Sequence, residues 1–208
     1  MQFAVWRGIR LLNLGMSLHG GKIMRRPVLG FCLGLAALAA FPAVRSAAAN
    51  GPAHAYVGAE KCKMCHNAAA KGAQYTKWME SRHSKAYATL ASEEAKKVAA
   101  AKGIADPQKA DECLRCHVSG HGAPAARLTD KYKAQDGVSC EGCHGPGGDY
   151  WKMDVMKDRA KSVAAGLVMP TEETCKTCHN AEGPTFKGFD FAALSAKIAH
   201  PNPQKAGK

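Results

Sequence analysis

No run of alternating β-branched residues occurs anywhere in the chain, which argues against a sheet. No glycine-rich nucleotide loop, no Ser/His/Asp arrangement and no paired carboxylates stand out, so the common hydrolytic and nucleotide-dependent chemistries have no visible machinery. Aromatic residues make up 7% of the chain and much of the apolar content is alanine, so the polypeptide alone builds a thin core. Acidic residues are missing from the first 49 positions. That stretch holds a basic Met24-Arg25-Arg26, an apolar Val28 to Ala43 and a small-residue Ala47-Ala48-Ala49, the order of an export signal. Asn50 is the expected mature start, with Ala53-His54-Ala55 a second, more distant cleavage pattern; residues 1–23 are either an unusually long basic region or precede a true start at Met24. The apolar run has signal length and is too short and Ala/Gly-rich for a lasting membrane span. Cys32 lies inside it after Phe31, the wrong setting for a lipid anchor.

The formal charge of +12 invites a nucleic-acid reading, and its distribution argues against one. Six of the 29 basic residues precede Asn50, leaving 23 scattered ones against 17 acidic, a net +6. Export makes nucleic acid an implausible partner in any case.

What is abundant is cysteine in one pattern. Cys62-x-x-Cys65-His66, Cys113-x-x-Cys116-His117, Cys140-x-x-Cys143-His144 and Cys175-x-x-Cys178-His179 use every cysteine after Cys32. C-x-x-C-H is the attachment motif of c-type haem. The two thiols form thioethers to the porphyrin, and the adjacent histidine is placed to bind iron from the proximal side. Paired C-x-x-C knuckles can hold zinc, and exported cysteines can pair as disulfides. Neither explains a histidine after the second cysteine four times in four. The expected cofactors are therefore four covalently attached haem c groups, about 40 residues of mature chain for each, with the porphyrins serving as the core and the haem-free chain largely unfolded. Their propionates would bring the net charge to about +2 oxidised or about −2 reduced, so docking to partners would depend on local patches.

Four other histidines follow Asn50, namely His54, His83, His121 and His200, and the count permits bis-histidine iron throughout. Asn67 to Leu90 lacks proline and reads as helix, with Tyr75, Met79, His83, Ala86 and Leu90 on one face. An unbroken helix would carry His83 about 25 Å from His66, so His83 should reach a haem other than that of its own segment. His200 is expected to end a C-terminal helix capped by Asp190 and stopped by Pro201, sharing its face with Ala193, Ala196 and Lys197. His121 lies four residues after His117; it can ligate another haem, donate a hydrogen bond in a distal pocket, or face solvent. His54 sits in a Gly/Pro/Ala-rich leader and is either mobile or a ligand, to a haem of its own or of a neighbouring molecule. Met153, Met156 and Met169 lie near motifs and read as packing before ligation. Ser92 to Lys102 reads as a further helix, and Gly/Pro-rich loops should wrap the remaining haem surfaces. The expected fold is mainly α with extensive loops around a four-haem cluster, with little or no sheet.

The segments VGAEKCKMCHN, WMESRHSKAYATL, DECLRCHVSGHG, GVSCEGCHGPGG and ETCKTCHN, in this order from Val57 to Asn180, resemble the tetrahaem cytochrome c-554 family. The Cys-Glu-x-Cys-His-Gly-Pro-Gly and Ser-x-His-x-Lys-Ala elements carry most of the specificity. The resemblance implies a periplasmic electron carrier with closely stacked haem pairs, working between redox partners in the periplasm, and gives His83, and with it His200, distal-ligand roles. It also marks two departures. The family's best-known member has an apolar residue and an open haem where this chain has His121, and family members supply a histidine soon after Gly-Pro-Gly, where Tyr150 to Met153 offers none. His54 or His121 is expected to fill that gap, with Met153 the outside candidate. The competing readings are reduction of a small oxyanion or nitric oxide at one open haem, and a haem wire at the cell surface whose molecules associate through His54.

Overall fold

The computed structural model describes residues 54–205. The expected export signal over residues 1–49, with its Ala47-Ala48-Ala49 cleavage pattern and Cys32, lies outside them. The described residues fold as short helices joined by loops: α1 Ala59–His66, α2 Gln74–Glu80, α3 Ala86–Thr89, α4 Glu93–Ala101, α5 Asp111–His117, α6 Cys140–His144, α7 Met153–Met156, α8 Arg159–Ala164, α9 Glu172–Lys176 and α10 Phe191–Ile198. The only β pairing among them is an isolated parallel bridge between Tyr56 and Leu128. The mainly helical, strand-poor architecture agrees with the sequence expectation. No described helix is long and apolar enough to cross a membrane.

Two expected helices differ in extent. The stretch Asn67 to Leu90 is broken twice. Gly72 takes a left-handed turn at φ 104° and Ala73 follows at φ 45°, so α2 begins only at Gln74. A Cβ at Gly72 would collide with the Pro201 carbonyl, which explains a glycine there. The second break is made by serines. Ser81 turns extended at ψ 164°, its hydroxyl donates to the Trp78 carbonyl at 2.7 Å, and Ser84 donates to Met79 and Ser81 carbonyls. These hydroxyls offer the chain an alternative to the helical ladder, the usual effect of clustered serines. His83 therefore sits in a turn between α2 and α3, and the straight-helix estimate of its reach does not apply. At the C-terminus α10 stops at Ile198, and Ala199 is extended at ψ 131°. Pro201 disfavours helical backbone at His200, which consequently lies beyond the helix and off its face.

Other local expectations hold. Ser92 caps α4 by accepting from Ala95 N at 3.1 Å, with Glu93 and Glu94 in the first turn and Gly103 past the end at φ 71°. Asp190 caps α10 by accepting from Ala193 N at 3.0 Å.

The protein core is thin, as the alanine-rich composition requires. Its buried apolar residues are Val57, Ala59, Tyr75, Leu90, Ala99, Val118 and Tyr150, spread along the chain rather than gathered in one layer. Larger side chains such as Met64 and Met153 stay more than 60% exposed, so apolar burial by polypeptide cannot be what organises the motifs.

Candidate haem-binding site

Each motif occupies one helical turn. Cysteines three apart, with the histidine four beyond the first, project from one helix face. In α1, α5 and α6 the histidine is the last helical residue; in the fourth motif α9 has ended, but His179 N still donates to the Cys175 carbonyl at 3.0 Å.

The four turns are brought together by polar contacts. Glu141, inside the third motif, is 3% exposed. Its carboxylate accepts Val57 N at 2.8 Å, Gly58 N at 2.9 Å and Gly147 N at 2.7 Å. Gly58 is the N-cap of α1, so this carboxylate joins the start of the first motif to the Gly-Pro-Gly turn of the third. Consistently, the Cys62 and Cys140 thiols are close neighbours. Ser119, two residues after the second motif, is also buried. Its hydroxyl accepts Ser139 N at 2.8 Å, its N donates to the Gly137 carbonyl at 2.9 Å, and its carbonyl accepts the Tyr132 hydroxyl. A Cβ at Gly142 would strike the Ser119 hydroxyl, so the x position of the third motif is held to glycine by its neighbour. The second motif meets the fourth where the Cys116 and Cys178 thiols are neighbours and through an Arg115 to Glu182 ion pair at 3.0 Å. The first motif thus adjoins the third, the third adjoins the second, and the second adjoins the fourth.

The histidines sort by which ring nitrogen is occupied. Carbonyl and carboxylate oxygens only accept, so a ring nitrogen bonded to one carries the proton and the other keeps its lone pair. His117 Nδ1 donates to the Ala86 carbonyl at 2.8 Å, His144 Nδ1 to Val168 at 3.1 Å, and His200 Nδ1 to Ile198 at 2.7 Å. His54 Nδ1 meets the Asp149 carboxylate at 2.5 Å. In all four, Nε2 is left for a metal. His121 is reversed: its Nε2 donates to the exposed Asp111 carboxylate at 2.9 Å. Burial keeps His66, His83 and His144 below the usual imidazole range and hence neutral, the form that binds metal.

Two ring pairs have a specific geometry. His83 and His179 have ring centroids 5.9 Å apart with planes at 85°, and His144 and His200 are 6.1 Å apart at 75°. Two metal–nitrogen bonds of about 2.0 Å, with about 1.1 Å from each nitrogen to its ring centre, span roughly 6 Å. Both pairs therefore match two imidazoles on opposite sides of one metal. Phe189 stacks on the His179 ring at 4.9 Å and 18°. A cleft of about 360 Å³ between α2 and α10 is lined by Ser81, Ala196 and Ala199 with Lys77, Glu80 and Lys197. Small residues and two lysines suit a flat macrocycle bearing carboxylates. Among the described residues no three or more His, Cys, Asp or Glu side chains are grouped to hold a free metal ion.

The family model for cytochrome c554 and c-prime matches residues 61–145. Cytochrome c-554 of Nitrosomonas europaea is 35% identical over 173 residues, covering 74% of this chain and 68% of that protein. The chain belongs to the cytochrome c-554 family. It is accordingly a c-type cytochrome of a multihaem electron-transport family. No solved structure matches this cytochrome.

Sequence reasoning left several residues of this cytochrome without a task. Glu141 and Ser119 are the main ones, with Tyr150, whose hydroxyl donates to the Gly145 carbonyl at 2.6 Å, and Asp149. For Glu141 a signal existed, since it stands inside the specific Cys-Glu-x-Cys-His-Gly-Pro-Gly element. Ser119 and Asp149 carry none, because their partners are remote in sequence.

Proposed function

We propose that this protein is a periplasmic one-electron carrier with four covalently attached haems, held by Cys62/Cys65, Cys113/Cys116, Cys140/Cys143 and Cys175/Cys178. His66, His117, His144 and His179 are the proximal ligands. His83 is the distal partner of His179, and His200 of His144. The observation that carries the reading is the pair of histidine ring separations, 5.9 and 6.1 Å, each between a motif histidine and a remote one. When bound, haem c supplies a reversible one-electron couple at each motif.

The chain's own residues hold the ligands in the reactive form and bring the sites close. Backbone carbonyls fix the tautomers of His117, His144 and His200. Glu141 clamps the first motif to the third and Ser119 the second to the third, which supports short electron steps between neighbouring motifs. The basic, apolar and small-residue succession before Asn50 supports export. His54 is engaged by Asp149 of its own chain, which favours a discrete carrier over a polymer. Donor and acceptor are redox proteins docking on local patches.

A second reading, reduction of a small ligand at one open haem, is favoured by His117, whose ring meets no second histidine among the described residues.

The test is the mature holoprotein. Mass and pyridine haemochrome should give four haems, and a redox titration should give four one-electron steps. His83→Ala and His200→Ala should each add one haem that binds carbon monoxide when reduced. Unchanged carbon monoxide binding in both variants refutes the ligand pairs, and turnover of nitric oxide or an oxyanion at rates above electron exchange would favour the second reading.

A further inference from the structure

The N-terminal leader is fixed in place more firmly than a Gly/Pro/Ala-rich segment needs to be. Arg127 donates twice to the His54 carbonyl, from Nε at 2.9 Å and from a terminal guanidinium nitrogen at 2.7 Å. Gly148 N donates to the Ala55 carbonyl at 2.8 Å, Tyr56 N to Arg127 at 2.7 Å, and Thr129 N to Tyr56 at 3.1 Å. The His54 side chain is 19% exposed, with Nδ1 on Asp149. A Cβ at Gly166 would approach the ring to 2.8 Å, so glycine allows it in. An immobilised imidazole with its Nδ1 on a carboxylate and its Nε2 lone pair free is the arrangement of a carboxylate–histidine–metal triad.

Elimination says which metal. His83 and His200 already face His179 and His144. His121 has its Nε2 on Asp111. Of the two motif histidines left without a partner, His117 belongs to the second and fourth motifs, linked through Cys116 and Cys178. His66 belongs to the first and third, linked through Cys62, Cys140 and Glu141. The His54 ring meets Asp149 and Gly166, both from the chain after the third motif, and its backbone runs into Val57 and Gly58, which Glu141 of the third motif holds at the start of the first.

We propose that His54 is the distal ligand of the haem carried by the first motif, and that Asp149 is its positioning residue. The ligand that the segment after Gly-Pro-Gly does not contain is thereby delivered from the N-terminal leader, with that segment supplying the carboxylate that orients it. This rests on the tetrahaem reading above. It also requires the mature chain to begin before His54, since cleavage after Ala55 would remove the ligand.

The experiment compares the mature holoprotein with His54→Gly, His54→Met and Asp149→Asn, using electron paramagnetic resonance of the oxidised form and carbon monoxide binding to the reduced form. In the parent one haem of four, that of His117, should be high-spin and open. His54→Gly should double that to two, and added imidazole should return it to one. His54→Met should keep the haem low-spin with a raised potential, because a thioether favours ferrous iron. Asp149→Asn should stay low-spin while the same haem shifts to higher potential, because the carboxylate makes the imidazole a stronger donor to ferric iron. Two open haems in the parent, or an unchanged spin count in His54→Gly, overturns the assignment of His54. An Asp149→Asn protein with the parent's four potentials overturns the role of Asp149. If four haems are attached and titrate normally while His54→Gly changes nothing, the assignment fails and the electron-carrier reading stands; fewer than four attached haems in the parent would overturn both.

Discussion

Glu141→Gln isolates the contact on which the pairing of the first and third motifs depends. The carboxylate accepts three backbone N–H groups while 3% exposed: Val57 and Gly147 on Oε1, Gly58 on Oε2. Glutamine has nearly the same shape. Its carbonyl can take the Oε1 place and keep two of the bonds, but its NH₂ then confronts Gly58 N–H, donor against donor. A hydrogen bond to a charged group contributes about 1.5–3 kcal/mol, and a buried donor left without an acceptor costs about 1–3 kcal/mol. The loss of one bond and the weakening of two from charged to neutral give a destabilisation of about 3 kcal/mol. Glu141→Ala, which strips all three donors, should cost about 3–6 kcal/mol. For a chain of this size about 3 kcal/mol lowers the melting temperature by roughly 6–12 °C. Thermal unfolding of the holoprotein, followed by far-UV circular dichroism at neutral pH, measures it. A Glu141→Gln protein within about 0.5 kcal/mol of the parent would refute the reasoning, since it would mean that the three donors find other acceptors and the carboxylate is not the clamp.

Two further outcomes follow from local geometry. Asp190→Ala removes the acceptor for Ala193 N at the start of α10, and should cost about 1 kcal/mol, read as a lowered denaturation midpoint, whereas Asp190→Asn should recover most of it. Burial and a 3.0 Å hydrogen bond to Glu60 raise the Tyr75 phenol from 10.0 to about 12, so the folded state holds a proton that the unfolded chain releases. This contribution is intact below pH 10 and is lost as pH rises from 10 to about 12; stability against pH should fall over that window, and less steeply in Tyr75→Phe.

Much of the helical scaffold could be read from local signals. Ser92 and Asp190 mark helix starts because a side-chain oxygen beside the first N–H groups needs no distant partner. The break at Ser81 to Lys85 was legible in principle but masked by the 3.6-residue apolar spacing. Periodicity reports which face is apolar, and is blind to three hydroxyl hydrogen bonds that unwind the chain. The end of α10 before His200 follows from Pro201 alone, yet a helical wheel places His200 on a face it never joins.

By itself the sequence determined the chemistry on offer: four C-x-x-C-H motifs, each with a histidine beside its second cysteine, and the lack of alternating β-branched runs rest on spacing within a few residues. Tertiary structure alone decided which motif lies beside which, and how the remaining histidines divide. His83, His54 and His200 reach their partners across long chain separations, and a carboxylate holds Nδ1 of His54 but Nε2 of His121. A tautomer is set by the oxygen that happens to stand next to the ring, and here those oxygens belong to Asp149, Asp111 and backbone carbonyls whose positions depend on the whole fold.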